Sequence, residues 1–280
     1  MVFGVGGGKA LDTVKCLCIT DGKPVFTFPT IASNCAACTS VSIMYNSDGT
    51  FLKPNFFVRP AMHAFIDTEI IAKAPVRYMW AGIGDTYAKY YEACISSRDE
   101  RLEHFTALGV SISVMCQKPL LEYSAKAYED HKKGLCTYEV EQVILAIVVT
   151  TGIASIFLTK DYTPDYNSGL AHAIFYALTS YPVIEKNHLH GEIVGFGVLL
   201  ALLVDGQDEE FEKIYQLNKS ISLPVSLDEI EISKEQWEES TDKIPDMSDV
   251  AHYPYKVTKE MLKNAMARLE ERVRKDNHVR

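Results

Sequence analysis

Three stretches of this chain carry side chains suited to holding a metal ion: GIGDTYAKYYEA (82–93), GLAHAIFYALT (169–179) and HLHGEIVGFG (188–197). Each places an acid or a histidine where a helix begins or runs. Asp85, His172 and His190 would supply one carboxylate and two imidazoles. Such a set leaves coordination positions open, as a catalytic rather than a structural metal requires, and its donors suit zinc or ferrous iron. The residues alone leave a plainer alternative open. An aspartate after a glycine is often a helix cap, and a lone histidine in an apolar helix is commonly a core residue with one hydrogen-bond partner.

A second chemical feature lies at the start, in MVFGVGGGKALDTVK. Gly6, Gly7 and Gly8 remove three Cβ atoms at the end of a strand, so backbone N–H groups can face an anion. The helix beginning near Lys9 adds its positive end. A triphosphate-binding loop needs a glycine five positions before Gly-Lys and a Ser or Thr after it. Phe3 and Ala10 stand there, which excludes kinase-type chemistry. The dinucleotide fingerprint fails as well, because Lys9 replaces its third glycine. A plain tight turn from strand to helix is the alternative.

These residues need elements to position them. Apolar periodicity predicts strands over 2–5, 24–28 and 63–66, and a hairpin in VSIMYNSDGTFLKP turning at Ser-Asp-Gly. It predicts helices over 9–19, 77–97, 107–115, 120–128, 140–158, 169–180, 191–204, 211–218 and 261–275. Pro60, Pro75, Pro119, Pro164 and Pro182 punctuate them. The expected fold is an α/β N-terminal part (1–74), an incomplete Rossmann-like unit, followed by a mostly α-helical part (75–280).

The chain has 280 residues, 47% hydrophobic and 23% charged, enough for two domains or one large one. A net charge of −9 argues against nucleic acid, and the basic end RLEERVRKDNHVR reads as a solvated helix. Seven cysteines without regular spacing, and no signal peptide, suggest reduced thiols in the cytoplasm. The apolar runs at 143–158 and 193–204 fall short of about 20 residues and read as buried helices rather than membrane spans.

In order, GVGGGKALDTVK, PTIASNCAACTSVSIMY, IDTEIIAKAPVR, GIGDTYAKYYEA, GLAHAIFYALT, HLHGEIVGFG and PYKVT resemble the metal-dependent, iron-containing alcohol dehydrogenases, in particular their glycerol dehydrogenase-like branch. The resemblance covers nearly the whole chain. It implies a nucleotide domain holding NAD or NADP, a helical domain holding one divalent metal, and a small alcohol or carbonyl substrate in the cleft between. By resemblance, Gly6, Gly7, Gly8 and Lys9 meet the cofactor pyrophosphate, with Asp12 in the next turn. Thr30 and Ser33 approach the nicotinamide side, followed by Thr39, Val41 and Tyr45. Asp85, His172 and His190 become the metal ligands and act in catalysis through the metal. A homo-oligomer is also implied.

Three departures from that family bear on function. Where glycerol-oxidising members carry an aspartate that meets polyol hydroxyls, this chain has Cys35, and hydroxycarboxylate dehydrogenases of the branch carry a similar Cys-Ala-Ala. A 2-hydroxy acid therefore ranks beside glycerol as substrate. Phe175 stands where glycerol-type members often have a second histidine, making the pocket less polar. Cys35 and Cys38 form a C-x-x-C, for which packing beside the substrate is preferred to a redox pair or a metal half-site. His188 is a candidate relay at the site mouth, and His252 a candidate for the cleft. Finally, family members carry a longer stretch before the glycine loop. The expectation is a fragment, or a chain completed by another, that binds dinucleotide weakly alone. The competing reading is a truncated, catalytically defective homologue retaining metal binding or an oligomer-forming role.

Overall fold

The computed structural model describes residues 1–45, 51–160 and 166–278. The predicted hairpin turn at 47–49 and Pro164 lie outside the described residues. The α/β part holds β1 (Val2–Gly6), α1 (Gly8–Thr20), β2 (Val25–Pro29), β3 (Val41–Tyr45), β4 (Phe51–Phe56) and β5 (His63–Ala64). β1, β2 and β5 form a parallel sheet in that order, and β3 pairs antiparallel with β4. The register Val2↔Val25 to Gly6↔Pro29 brings the C-terminal ends of β1 and β2 side by side. Open α/β sheets bind ligands beyond that edge. On one face of the sheet Phe3, Phe26, Phe28 and Phe65 gather, with Phe28 stacked on Phe65 at 4.7 Å between centroids.

The remainder is helical: α2 (Thr68–Ala72), α3 (Val76–Ser96), α4 (His104–Ser113), α5 (Lys118–His131), α6 (Tyr138–Leu145), α7 (Thr151–Phe157), α8 (Leu170–Leu178), α9 (Pro182–Asn187), α10 (His190–Val204), α11 (Asp208–Ile221), α12 (Lys234–Ser240) and α13 (Lys259–His278). The predicted long helices all appear. The short α2, α9 and α12 are additions, and local caps account for two of them. The Asp67 carboxylate accepts from the Glu69 and Ile70 N–H groups, and Ser233 with Gln236 forms a capping box. The helix predicted over 140–158 is interrupted by one wide turn, Ala146–Thr150. Its closing Thr151 hydroxyl donates to the Ala146 carbonyl at 3.0 Å. The stretch Tyr138–Phe157 is long and apolar enough to cross a membrane by length and composition. Within the fold it is largely a core helix, with Val140, Val143, Ile144, Ile147 and Val148 fully buried.

α10 is the hub. Its sequence HGEIVGFGVLLALLV is apolar all round, and every residue from Gly191 to Leu203 is buried. An all-round apolar helix must be covered on all sides, and α3, α8, α11 and α13 pack against it. Glycines set how close α3 comes. A Cβ on Gly84 would lie 2.1 Å from the Gly191 carbonyl oxygen, and one on Gly191 would lie 2.0 Å from that of Ala81. Gly195 lies against Gly84 in the same crossing, where its Cβ would sit 3.1 Å from the Gly84 Cα. No side chain fits between these backbones.

This contact predicts an inversion of sign. Alanine in place of a helical glycine normally stabilises by about 1 kcal/mol. Gly84→Ala is expected to destabilise by about 1–3 kcal/mol instead, because the two helices must separate. Thermal unfolding of the variant checks it.

Candidate metal centre and active site

The α3/α10 crossing brings Asp85, on α3, beside His190, the first residue of α10. The Asp85 Oδ1 lies 3.4 Å from the His190 Nε2 and 3.6 Å from the His172 Nε2, which α8 supplies. One donor atom from each of the three residues lies within 4.8 Å of the others. These separations are long for hydrogen bonds. They match donors sharing an ion: tetrahedral bonds of about 2.1 Å put neighbouring ligand atoms about 3.4 Å apart.

The three side chains also set one another's charge. Burial alone would raise the Asp85 carboxyl, but the His172 and His190 imidazoles beside it outweigh that and hold it well below the usual carboxylate range. Burial alone would lower His172, but the Glu92 and Asp85 carboxylates outweigh it and hold the imidazole up at about 10. A metal would replace that proton. His190 is the most open of the three, with 41% of its side chain exposed, and its ring forms a T-shaped pair with Phe175, centroids 4.4 Å apart.

Sequence reasoning missed Glu92, which is 1% exposed. Its Oε2 lies 2.7 Å from the His172 Nδ1, and its Oε1 accepts from the His172 backbone N–H at 2.9 Å. The available signal was an acid seven residues after Asp85, on the same face of α3. Lys89, between them on that face, donates to the Asn167 carbonyl and, at 2.7 Å, to its Oδ1.

The loop of residues 30–40 touches both the glycine turn and α3. The Thr30 N–H donates to the Gly6 carbonyl at 3.1 Å, and the Thr27 hydroxyl to the Ala37 carbonyl at 2.8 Å. The loop covers the glycine turn closely: a Cβ on Gly7 would sit 2.7 Å from Ile31, and one on Gly8 2.6 Å from the Asn34 side chain. Gly6, with φ +143°, needs a glycine outright. On its other side the loop meets α3, since a Cβ on Gly82 would lie 2.3 Å from the Ala32 carbonyl. Thr30 and Ser33 are half-buried along this bridge, and Lys9 is exposed at the start of α1.

Cys35 lies in the same loop. Burial pushes its thiol up to about 12, and the Asp85 charge adds to the effect. Burial likewise pushes Cys38 up to about 11. Both are neutral at physiological pH, and all seven cysteines are free.

Other expected site residues have different partners. Asp12, Thr39 and Val41 surround the fully buried Lys15, whose Nζ lies 3.1 Å from the Asp12 Oδ1. It donates to the Thr39 hydroxyl at 3.2 Å and the Val41 carbonyl at 2.6 Å. The Asp12 Oδ2 accepts from the Ile43 N–H at 3.2 Å. Burial raises the Asp12 carboxyl, and Lys15 and the Ile43 N–H offset part of that. Its carboxylate therefore faces β3 and not the glycine turn: a buried acid takes the nearest buried cation. The backbone of Tyr45 ends β3, and its side chain lies outside what the structure describes. His188 does not join the metal cluster. Its Nδ1 lies 2.7 Å from Glu192 and its Nε2 3.3 Å from Glu231. The His252 ring lies tilted against that of Tyr166, with centroids 4.3 Å apart, and its Nδ1 is 3.1 Å from the Glu100 Oε1.

Residues 1–75 match the family model for iron-containing alcohol dehydrogenase. A glycerol dehydrogenase of Thermotoga maritima is 34% identical over 90% of this chain and 69% of its own length. This chain belongs to the iron-containing alcohol dehydrogenase family. The hydroxycarboxylate dehydrogenase A of Escherichia coli is 33% identical over 96% of the chain and 75% of its own length. The crystal structure of a probable glycerol dehydrogenase from Sinorhizobium meliloti superposes with a TM-score of 0.83 at 28% identity, covering 98% of this chain and 77% of that one. The chain falls in the glycerol dehydrogenase-like branch, a class of metal-dependent, NAD-linked oxidoreductases acting on small molecules.

Purified protein is expected to carry about one divalent metal per chain, and Asp85→Asn and His190→Ala are each expected to lose it while staying folded. Elemental analysis alongside circular dichroism checks this. Unchanged metal content in both variants contradicts the assignment.

Proposed function

We propose that the chain interconverts a small alcohol and its carbonyl compound, with a 2-hydroxy acid and its 2-oxo acid favoured over glycerol. Asp85, His172 and His190 would hold the metal, and their convergence beneath the loop bridging to the glycine turn carries the reading. Two imidazoles and a carboxylate are a donor set for zinc or ferrous iron. When bound, the ion supplies Lewis acidity toward the substrate oxygen, favouring the alkoxide in one direction and polarising the carbonyl in the other.

The chain's own residues have separate tasks in this reading. Gly6, Gly7 and Gly8, with the N-terminal end of α1, present backbone N–H groups to the dinucleotide pyrophosphate. Lys9 adds its charge at that edge. The 30–40 loop carries Thr30 and Ser33 from the glycine turn to the metal helices, so it sets the approach of the nicotinamide to the substrate carbon. Residues 1–74 thus serve the cofactor and 75–280 the metal. The buried face of the loop and Phe175 keep water from the reacting centre.

Cys35 decides the substrate class. A carboxylate there would repel a substrate carboxylate and accept hydrogen bonds from polyol hydroxyls; the neutral thiol does neither strongly. With either nicotinamide cofactor, kcat/KM for 2-oxobutanoate or 2-oxoglutarate reduction is expected to be higher than for glycerol oxidation. In Cys35→Asp the oxo-acid to glycerol ratio is expected to fall by about tenfold, equivalent to about 1.4 kcal/mol. Parallel steady-state assays measure it. An unchanged ratio contradicts the role given to Cys35.

A further inference from the structure

We propose that Glu92 is the positioning residue of this site: one buried carboxylate both starts α8 and selects which imidazole nitrogen of His172 faces Asp85. The inference rests on the metal reading above and extends it to a residue outside the ligand set.

α8 lacks a cap of its own. Its N-cap is Gly169, which has no side chain to accept from the first helical N–H groups. Those groups still need acceptors. The Tyr253 hydroxyl oxygen accepts from the Leu170 N–H at 3.1 Å, and the Glu92 Oε1 accepts from the His172 N–H at 2.9 Å. Glu92 thus acts as a helix cap delivered from another helix, and its negative charge sits where the α8 dipole favours one. Gly169 leaves room for it. A Cβ there would stand 3.0 Å from the Glu92 Cγ and 3.3 Å from the Tyr253 ring.

The second oxygen of the same carboxylate does separate work. An ionised carboxylate only accepts hydrogen bonds. Facing the His172 Nδ1 at 2.7 Å, Oε2 keeps a proton on that nitrogen. With that proton held on Nδ1, Nε2 is the nitrogen that can offer a lone pair, and it is the atom turned toward Asp85. Metal-ligating histidines gain orientation and basicity from such a partner. Lys89 supports the arrangement from the preceding turn of α3 by holding Asn167, five residues before His172.

Glutamine separates this role from simple packing. In Glu92→Gln the side chain keeps nearly the same shape, but it offers one acceptor and one NH2 group. If the carbonyl keeps the His172 N–H, the NH2 faces Nδ1 and drives the ring proton to Nε2, where it blocks metal. If the side chain turns over, α8 loses its cap.

The test uses the full chain with zinc and cobalt(II) as probes. Chelator competition is expected to show 10–100-fold weaker zinc binding in Glu92→Gln, with a changed cobalt(II) visible spectrum. Gly169→Ala, which pushes Glu92 aside without altering either partner, is expected to weaken zinc binding in the same direction. The parent protein gives a readout independent of folding in the variants. Histidine-labelled 15N spectra are expected to show a hydrogen-bonded Nδ1 proton on His172 without metal, and its retention with zinc on Nε2. Zinc affinity within twofold of the parent in Glu92→Gln, or an Nδ1 without a proton in the zinc-loaded parent, overturns the proposal. A parent that shows the Nδ1 proton but takes up no metal overturns instead the metal reading on which it rests.

Discussion

The backbone contact between α3 and α10 is the constraint on which the rest of the site depends. Gly84, Gly191 and Gly195 let two helices meet with a carbonyl oxygen where a Cβ would otherwise be. Asp85 follows Gly84, and His190 precedes Gly191. The residues that make the close approach are therefore chain neighbours of two of the three donors. Had the helices been spaced by ordinary side chains, an interaxial distance of about 8–10 Å would hold the carboxylate and imidazole farther apart. The apolar wrap of α10 supplies the burial energy that holds this approach, because a helix buried on every side has nowhere else to go.

The second organising element is the loop of residues 30–40, pressed between two sets of glycines. Gly7 and Gly8 receive it at the nucleotide end, and Gly82 receives it on α3. In the proposed reading, the distance between a dinucleotide at the first and a substrate near the second would be set by this one short loop. Its foot is fixed by Lys15. A fully buried ammonium is costly unless paired and hydrogen-bonded. Asp12, Thr39 and the Val41 carbonyl satisfy that requirement, and Asp12 and Thr39 are buried with it.

Much of this was legible in the sequence. The strand–glycine–helix opening, the switch to helical periodicity after residue 74 and the individual donors Asp85, His172 and His190 are all local patterns. Their convergence was not local. It depends on helix crossings whose spacing is set by glycines that look like ordinary helix interruptions in a one-dimensional reading. Glu92 escaped for the same reason: an acid within YYEA has no visible partner until α8 arrives beside it. His188 has partners of the same non-local kind: beside Glu192, four residues on, it meets Glu231, which only the fold brings near. The short helices α2 and α12 are held by caps at Asp67 and Ser233, signals too small to stand out against apolar periodicity.

The most direct test of the account is X-ray absorption at the metal edge of the zinc- or iron-loaded protein. The arrangement of Asp85, His172 and His190 predicts a first shell of light atoms at about 2.0–2.2 Å, with the multiple scattering of two imidazoles. A metal–sulfur distance of about 2.3 Å would place a cysteine of the 30–40 loop in the coordination sphere. That result would contradict a centre built on the α3/α10 contact.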